Sequence, residues 1–399
     1  MTETVRTWTS CMSERRLSFV GAFMSAVGPM SLYLYAPAVA EAAAGLATTS
    51  AAINLTLSSF FGGFAISLLV VGPISDAVGR RATVYLFIGA FCLASIAAWL
   101  CESVESLLVA RFIQGFGAAA GMSVSRALVR DVYAGKAAAR VFVTMTMVLS
   151  VAPAVAPIVG GLTTTFFGWR SVFILMFVYG IILIAVCAFF VGETIQRHWA
   201  RLMPREWWAS YRGVLTRRDF TAPALCVGSL VGVVYANGTL LPSILMETIG
   251  FSPLQFSVAI LAHPAGYMAG SIVAKSVLAR RSVKETVLYG YCAIAIGCVG
   301  MLALLVWEPG AWRILTPVGL YSFGLAFIMP TMTAVSLDRL PHMAGAAASL
   351  LGFSQMAFGF IASVAGNAAS DAITAIALLM PAMALLSLVG FAGSTTAGG

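Results

Sequence analysis

Gly72-Pro73-Ile74-Ser75-Asp76-Ala77-Val78-Gly79-Arg80-Arg81 is a short polar break between two long apolar runs. One run covers 52–74 and the other 82–101. Each is long enough to cross hydrocarbon as a helix, which takes about 20 apolar residues. Between them stand two glycines, a proline, one acid and adjacent arginines, the composition of a tight turn at a membrane surface. Backbone groups in lipid must pair within their own segment, so both runs are expected to be helices.

The same pattern extends in both directions. Further apolar stretches lie near 17–40, 107–129, 138–162 and 171–192. A second set lies near 220–244, 252–277, 285–307, 312–336, 343–367 and 372–392. Composition agrees: 60% of the 399 residues are hydrophobic and 10% are charged, with a mean hydropathy of +0.95. A soluble chain carries about 25% charged residues, so lipid has to be the solvent for most of this one. The fold class expected is all-α integral membrane, with twelve transmembrane helices. The alternation of a transmembrane barrel is absent. Met1 to Arg16 is polar, and the first apolar stretch is long enough to span rather than to act as a cleaved signal.

Lys and Arg set the orientation. With a cytoplasmic N-terminus, every basic residue except Arg111, Arg126, Arg170 and Arg313 falls on the inner side. This follows the positive-inside rule and puts both termini in the cytoplasm of a bacterial inner membrane. It also accounts for the net charge of +8 without any nucleic acid. The seven cysteines form no C-x-x-C pair, and most sit within spans, so they read as small packing residues. The longest polar segment, 193–219, carries six arginines with Trp199, Trp207 and Trp208, and is expected to lie partly at the interface. It divides the chain into an N-terminal six-helix half over 1–192 and a C-terminal six-helix half over 220–399.

Four motifs carry a family resemblance. The stretch 72–81 matches G-x-x-x-D-x-x-G-R-[RK] in full, through Gly72, Asp76, Gly79, Arg80 and Arg81. The fourth span begins Arg111-Phe112-Ile113-Gln114-Gly115. The fifth holds Pro153, Pro157, Gly160 and Gly161, with Ala156 where the pattern usually has glycine. The eleventh opens Ala344-Gly345 and continues to Ser349, Gly352, Phe353 and Gln355. Together they resemble the major facilitator superfamily, in its twelve-span drug:proton antiporter branch, and within it the bicyclomycin-resistance and chloramphenicol-exporter group.

The resemblance implies two six-helix halves with the substrate site between them near the midplane. It implies that 72–81 gates the cytoplasmic side, with Asp76 bonding a helix N-terminus of the opposite half and pairing with nearby arginines. In the fifth span, Pro153 and Pro157 lie one turn apart and are expected to kink the helix. Gly160 and Gly161 then admit a close partner. Gly266 and Gly270 of the eighth span form a second close-approach pair.

One departure bears on chemistry. The resembled group carries an aspartate in the first span, and that position is Tyr33 here. No acid falls in the interior of any expected span. The embedded ionisable groups are Arg111, Arg126 and His263. An embedded guanidinium needs acceptors, and Tyr33, Gln114, backbone carbonyls or an anionic substrate could supply them. His263 is the interior group that titrates near neutral pH, so His263 and Glu41, near the outer end of the first span, are the proton-coupling candidates. Substrate-binding candidates are Tyr33, Tyr35, Asn54, Arg111, Gln114, Tyr235, Asn237 and Gln355. Phe61, Tyr267, Met329, Met332 and Met356 join them as cavity lining, since aromatic and methionine side chains suit a tolerant amphiphile site.

The function expected is a secondary active transporter that exports small amphiphilic compounds by proton antiport with alternating access. A dedicated exporter or importer of one anionic or neutral metabolite is the rival. A membrane-embedded enzyme is the more distant one: His198, His263 and His342 are far apart, and no embedded acid pair or nucleophile–base set appears. The partners implied are a small-molecule substrate, the proton and membrane lipid, with no cofactor, metal or nucleic acid, and the chain is expected to be a monomer.

Overall fold

The computed structural model describes residues 12–133, 135–149, 151–195, 204–338, 340, 343–369 and 371–396. Among these, eleven helices are long and apolar enough to cross a membrane. The first is α1 (Glu14–Tyr35), continued by a tight turn (Ala36–Ala38) into α2 (Val39–Gly45). Then follow α3 (Ser50–Val78), α4 (Arg80–Trp99) and α5 (Val104–Val132).

The span expected as one helix over 138–162 is instead two, α6 (Gly135–Leu149) and α7 (Ala152–Phe167). The cause is Pro153, which has no N–H to bond into the preceding turn and so opens a new helix. With this run divided, eleven helices among the described residues, rather than the twelve expected, have the length and apolarity of a crossing. After this pair come α8 (Ser171–Phe190) and the short α9 (Pro204–Leu215) in the middle loop.

The rest is α10 (Arg218–Pro242), prolonged by a π-helical turn (Ser243–Thr248), then α11 (Pro253–Ala259), α12 (Ala262–Leu278), α13 (Val283–Leu302), α14 (Ala311–Asp338), α15 (Ala344–Asn367) and α16 (Ala372–Thr396). The eighth span is interrupted between α11 and α12. Pro264 cannot donate to the Ile260 carbonyl, and the His263 N–H takes that acceptor at 3.2 Å.

Contacts divide the chain into two compact units, Met1–Ala38 with Ser59–Ala209, and Val39–Ser58 with Ser210–Gly399. In the first, a stripe of small residues joins α3 to α5. Ser59 donates to the Leu108 carbonyl at 2.9 Å, and Ser67 to the Phe116 carbonyl at 2.6 Å. Gly63 lies midway between them, where a Cβ would overlap the Phe112 carbonyl oxygen. Gly115 on α5 returns the contact against the Phe60 carbonyl oxygen. Lipid offers little hydrophobic drive for helix pairing, so such backbone-close contacts and their hydrogen bonds hold the helices together.

Gly160 of α7 packs on the Leu34 carbonyl of α1. In the second unit, Gly266 and Gly270 of α12 pack on the carbonyls of Gly319 and Phe323 of α14. Large apolar side chains are exposed along the helices, among them Leu93, Phe166, Phe189, Ile272 and Val299, as a lipid-facing surface requires.

Candidate functional site

The 72–81 stretch folds into a charge cluster at the α3–α4 junction. Gly79 is the single residue between those helices, and its φ of 112° is one that side-chain-bearing residues rarely adopt. The sharp turn brings Arg80 back along α3. Its Nε and Nη2 donate to the two oxygens of Asp131 at 2.9 and 3.2 Å. Its Nη1 donates to Asp76 at 2.6 Å and to Ser75 at 2.9 Å. Thr194 donates to Asp131 at 2.6 Å.

The Glu193 carboxylate lies on the N-terminus of α4, accepting the backbone N–H groups of Arg80 at 2.8 Å and Arg81 at 3.3 Å. A carboxylate there meets unpaired backbone donors and the positive end of the helix dipole. Within this unit Glu193 makes the helix-terminus contact that the motif reading gives to Asp76. Arg81 turns away to the Tyr85 hydroxyl at 2.8 Å and the Ala188 carbonyl at 3.2 Å. The Arg80 and Asp131 side chains are 7% and 16% exposed, against 42% for Asp76. Asp131, Glu193 and Thr194 are members of this cluster that the sequence reading missed. Their signal was position: they lie at the ends of the fourth and sixth spans that meet the arginines.

A second cluster surrounds Arg111 on α5, whose side chain is wholly buried. Its Nη1 donates to the Gln114 carbonyl oxygen at 2.9 Å and approaches the Met176 sulfur at 3.8 Å. The Gln114 amide donates to Ser95 at 2.7 Å, and the Ser95 hydroxyl donates to the Phe91 carbonyl at 2.7 Å. The guanidinium carbon stands 4.8 Å from the Tyr35 ring centre and 4.6 Å from that of Phe60. The aromatic neighbour from α1 is therefore Tyr35, two residues on from the expected Tyr33. Residues two apart on a helix face different ways, and Tyr33 is half-buried elsewhere. Arg111 Nε and Nη2 have no partner among the described residues.

In the second unit the other candidates gather. Asn54 donates to Ser243 at 3.0 Å. Ser58 and Ser363 share a hydrogen bond of 2.6 Å, and Ser363 donates to Thr239 at 3.0 Å. Asn54 Oδ1 and both amide atoms of Asn237 are buried without partners among the described residues. Tyr235 packs against Gly359, and Gln355 is buried. His263 Nδ1 lies 2.5 Å from the Ser322 hydroxyl of α14. That hydroxyl also lies 2.7 Å from the Val318 carbonyl. Glu41 is exposed in the first turn of α2, and nothing brings it to His263. Among the described residues, no group of three or more metal-ligating side chains exists.

The model of the Major Facilitator Superfamily matches residues 21–364. This chain belongs to the major facilitator superfamily. The facilitator is 28% identical over 382 residues to multidrug resistance protein D of Escherichia coli strain K12, covering 90% of this chain and 91% of that one. It is 25% identical over 375 residues to the bicyclomycin resistance protein homolog of Haemophilus influenzae, covering 92% and 93%. Its fold matches a bacterial homologue of the human lysosomal transporter Spinster, with a TM-score of 0.67, 13% identity and coverage of 100% and 98%. The facilitator is thus a multi-pass membrane transporter of small molecules, in the group that its four motifs resemble.

Proposed function

We propose that this transporter exports small amphiphilic compounds across the bacterial inner membrane by proton antiport, working as a monomer with both termini in the cytoplasm. The observation that carries the reading is similarity over nine-tenths of both chains to proteins named for multidrug and bicyclomycin resistance. The complete 72–81 motif, folded into a buried charge cluster, supports it. Everted membrane vesicles test it. Adding an amphiphilic compound to vesicles acidified by respiration should dissipate the pH gradient, and only when the chain is present. Accumulation of the compound in right-side-out vesicles would instead establish import.

Asp76 biases one state of the transport cycle in this reading. It is more exposed than Arg80 and Asp131, and Arg80 keeps its Asp131 bond without it. Asp76→Asn is therefore expected to fold and insert normally and to slow efflux several-fold. A wild-type efflux rate at normal expression refutes the gating role.

Coupling falls to His263, with Glu41 as the second candidate, because the first span has Tyr33 where the resembled group carries its acid. His263 stands at the helix break before Pro264, and its Ser322 partner has a single hydroxyl proton to share between the imidazole and the Val318 carbonyl. In proteoliposomes with an imposed pH gradient, His263→Gln is expected to abolish gradient-driven accumulation while leaving exchange of compound down its own gradient. Glu41→Gln is expected to have the smaller effect. Undiminished accumulation in both variants removes both residues from the coupling path.

A further inference from the structure

Three arginines in this protein each present the Nε/Nη2 edge to the two oxygens of one carboxylate. Arg80 uses Nε and Nη2 to hold the two oxygens of Asp131 at 2.9 and 3.2 Å. Arg140 uses the same two nitrogens on Glu14, at 3.0 and 2.6 Å. Arg217 does so on Asp219, at 3.2 and 3.0 Å. The planar fork of parallel N–H groups matches the spacing of two carboxylate oxygens.

Arg111 offers the same edge with nothing on it. Its Nε and Nη2 are buried without a partner among the described residues, and the residue is 0% exposed. Among the described residues, its hydrogen bonds are made through Nη1, to Gln114 and Met176. Tyr35 and Phe60 lie against the guanidinium. Their rings attract the cation, but a ring face is no acceptor in the plane of the fork. Gln114 cannot rotate to help without leaving Ser95. A guanidinium stays protonated at any physiological pH, and a buried charge without a counter-ion is costly.

We infer that the Nε/Nη2 fork of Arg111 is a carboxylate-binding subsite, and that the transporter's cargo includes amphiphiles bearing a carboxylate on an aromatic or aliphatic body. The carboxylate takes the place that Asp131 takes on Arg80, and the apolar body lies against Tyr35, Phe60 and Met176. The fork is closed to solvent in this structure, with the Tyr35 and Phe60 rings buried against the guanidinium. The statement that this ligand is cargo rests on the exporter reading; the statement that the fork binds a carboxylate does not.

A matched series decides it: a naphthalene carboxylate, its methyl ester and the naphthyl trimethylammonium cation. Each competes with a fluorescent amphiphile for purified full-length protein in nanodiscs. The carboxylate is expected to bind about tenfold tighter than the ester, and the cation weakest. Arg111→Lys keeps the charge and loses the fork, so the carboxylate-to-ester ratio should fall toward one. Equal or tighter binding of the ester or the cation by the wild-type protein overturns the assignment, whether or not the Lys variant folds. If the ester alone drives proton movement in everted vesicles, the subsite is refuted and the exporter reading stands. If the carboxylate binds tightly and none of the three moves protons, the subsite stands and the exporter reading fails.

Discussion

Gly115→Leu is expected to yield no folded protein. A Cβ at Gly115 would sit inside the Phe60 carbonyl oxygen, with the Phe60 carbonyl carbon at 2.8 Å and its Cα at 3.0 Å. All three obstacles are backbone atoms, so no rotamer change relieves the overlap and α3 and α5 must separate. Separation also weakens the Ser59 bond to Leu108 and the Ser67 bond to Phe116. Overpacking a side-chain-lined core costs about 1–3 kcal/mol, and here the backbone itself has to yield, so the loss exceeds that range. Gly115→Ala adds that Cβ alone, so it too should exceed the range, by less than the larger leucine does. Gly89→Leu is the control, since a Cβ at Gly89 meets nothing within 4 Å. Thermal unfolding in detergent, after size exclusion, reads the series. A stable monodisperse Gly115→Leu protein would show that α3 and α5 do not pack as described.

Arg80→Ala is the second large effect, and it is one of folding before it is one of transport. Removing the guanidinium leaves Asp131 with only the Thr194 hydroxyl, and it leaves Ser75 and Asp76 without their shared donor. Breaking a buried ion pair by deleting one partner costs about 3–5 kcal/mol. The 16% exposure of Asp131 lets water recover part of that, so about 3 kcal/mol is expected. Asp131→Asn should cost less, because the amide still offers one acceptor oxygen. Asp76→Asn should cost least, because Asp76 is partly solvated. Glu193 bonds backbone N–H groups, so its hold on α4 survives in all three variants. The order of melting temperatures is the test. A lower melting temperature for Asp76→Asn than for Asp131→Asn would mean that Asp76 is the main partner of Arg80.

The sequence reading and the structure part at specific residues. The motif at 72–81 was legible because a turn between two spans needs glycine at a positive φ and basic residues on the inner side. Both requirements are written in residue types at fixed spacing. Asp131, Glu193 and Thr194 were not legible as partners, because they lie 51 to 114 positions beyond Arg80, and only packing brings them there. The fifth span shows the same limit locally. Pro153 and Pro157 announced a distorted helix, yet the apolar run 138–162 reads as continuous, since hydropathy averages over a break that one missing N–H creates.

By itself, the sequence determined the class, the approximate limits of most membrane crossings, the charge asymmetry and the family motifs. These follow from composition and period, because lipid demands apolar length and closed backbone hydrogen bonding from every crossing. It also determined that Arg111 lacks the acid that its resembled group places in the first span. What only the tertiary structure decided is which groups meet. Tyr35 rather than Tyr33 covers Arg111, Gln114 is committed to both Arg111 and Ser95, and the Nε/Nη2 fork is left open. The physical reason is directional. A hydrogen bond needs its atoms within about 3 Å and aligned, and helices from five different stretches of the chain have to pack before that condition is met or missed at one guanidinium.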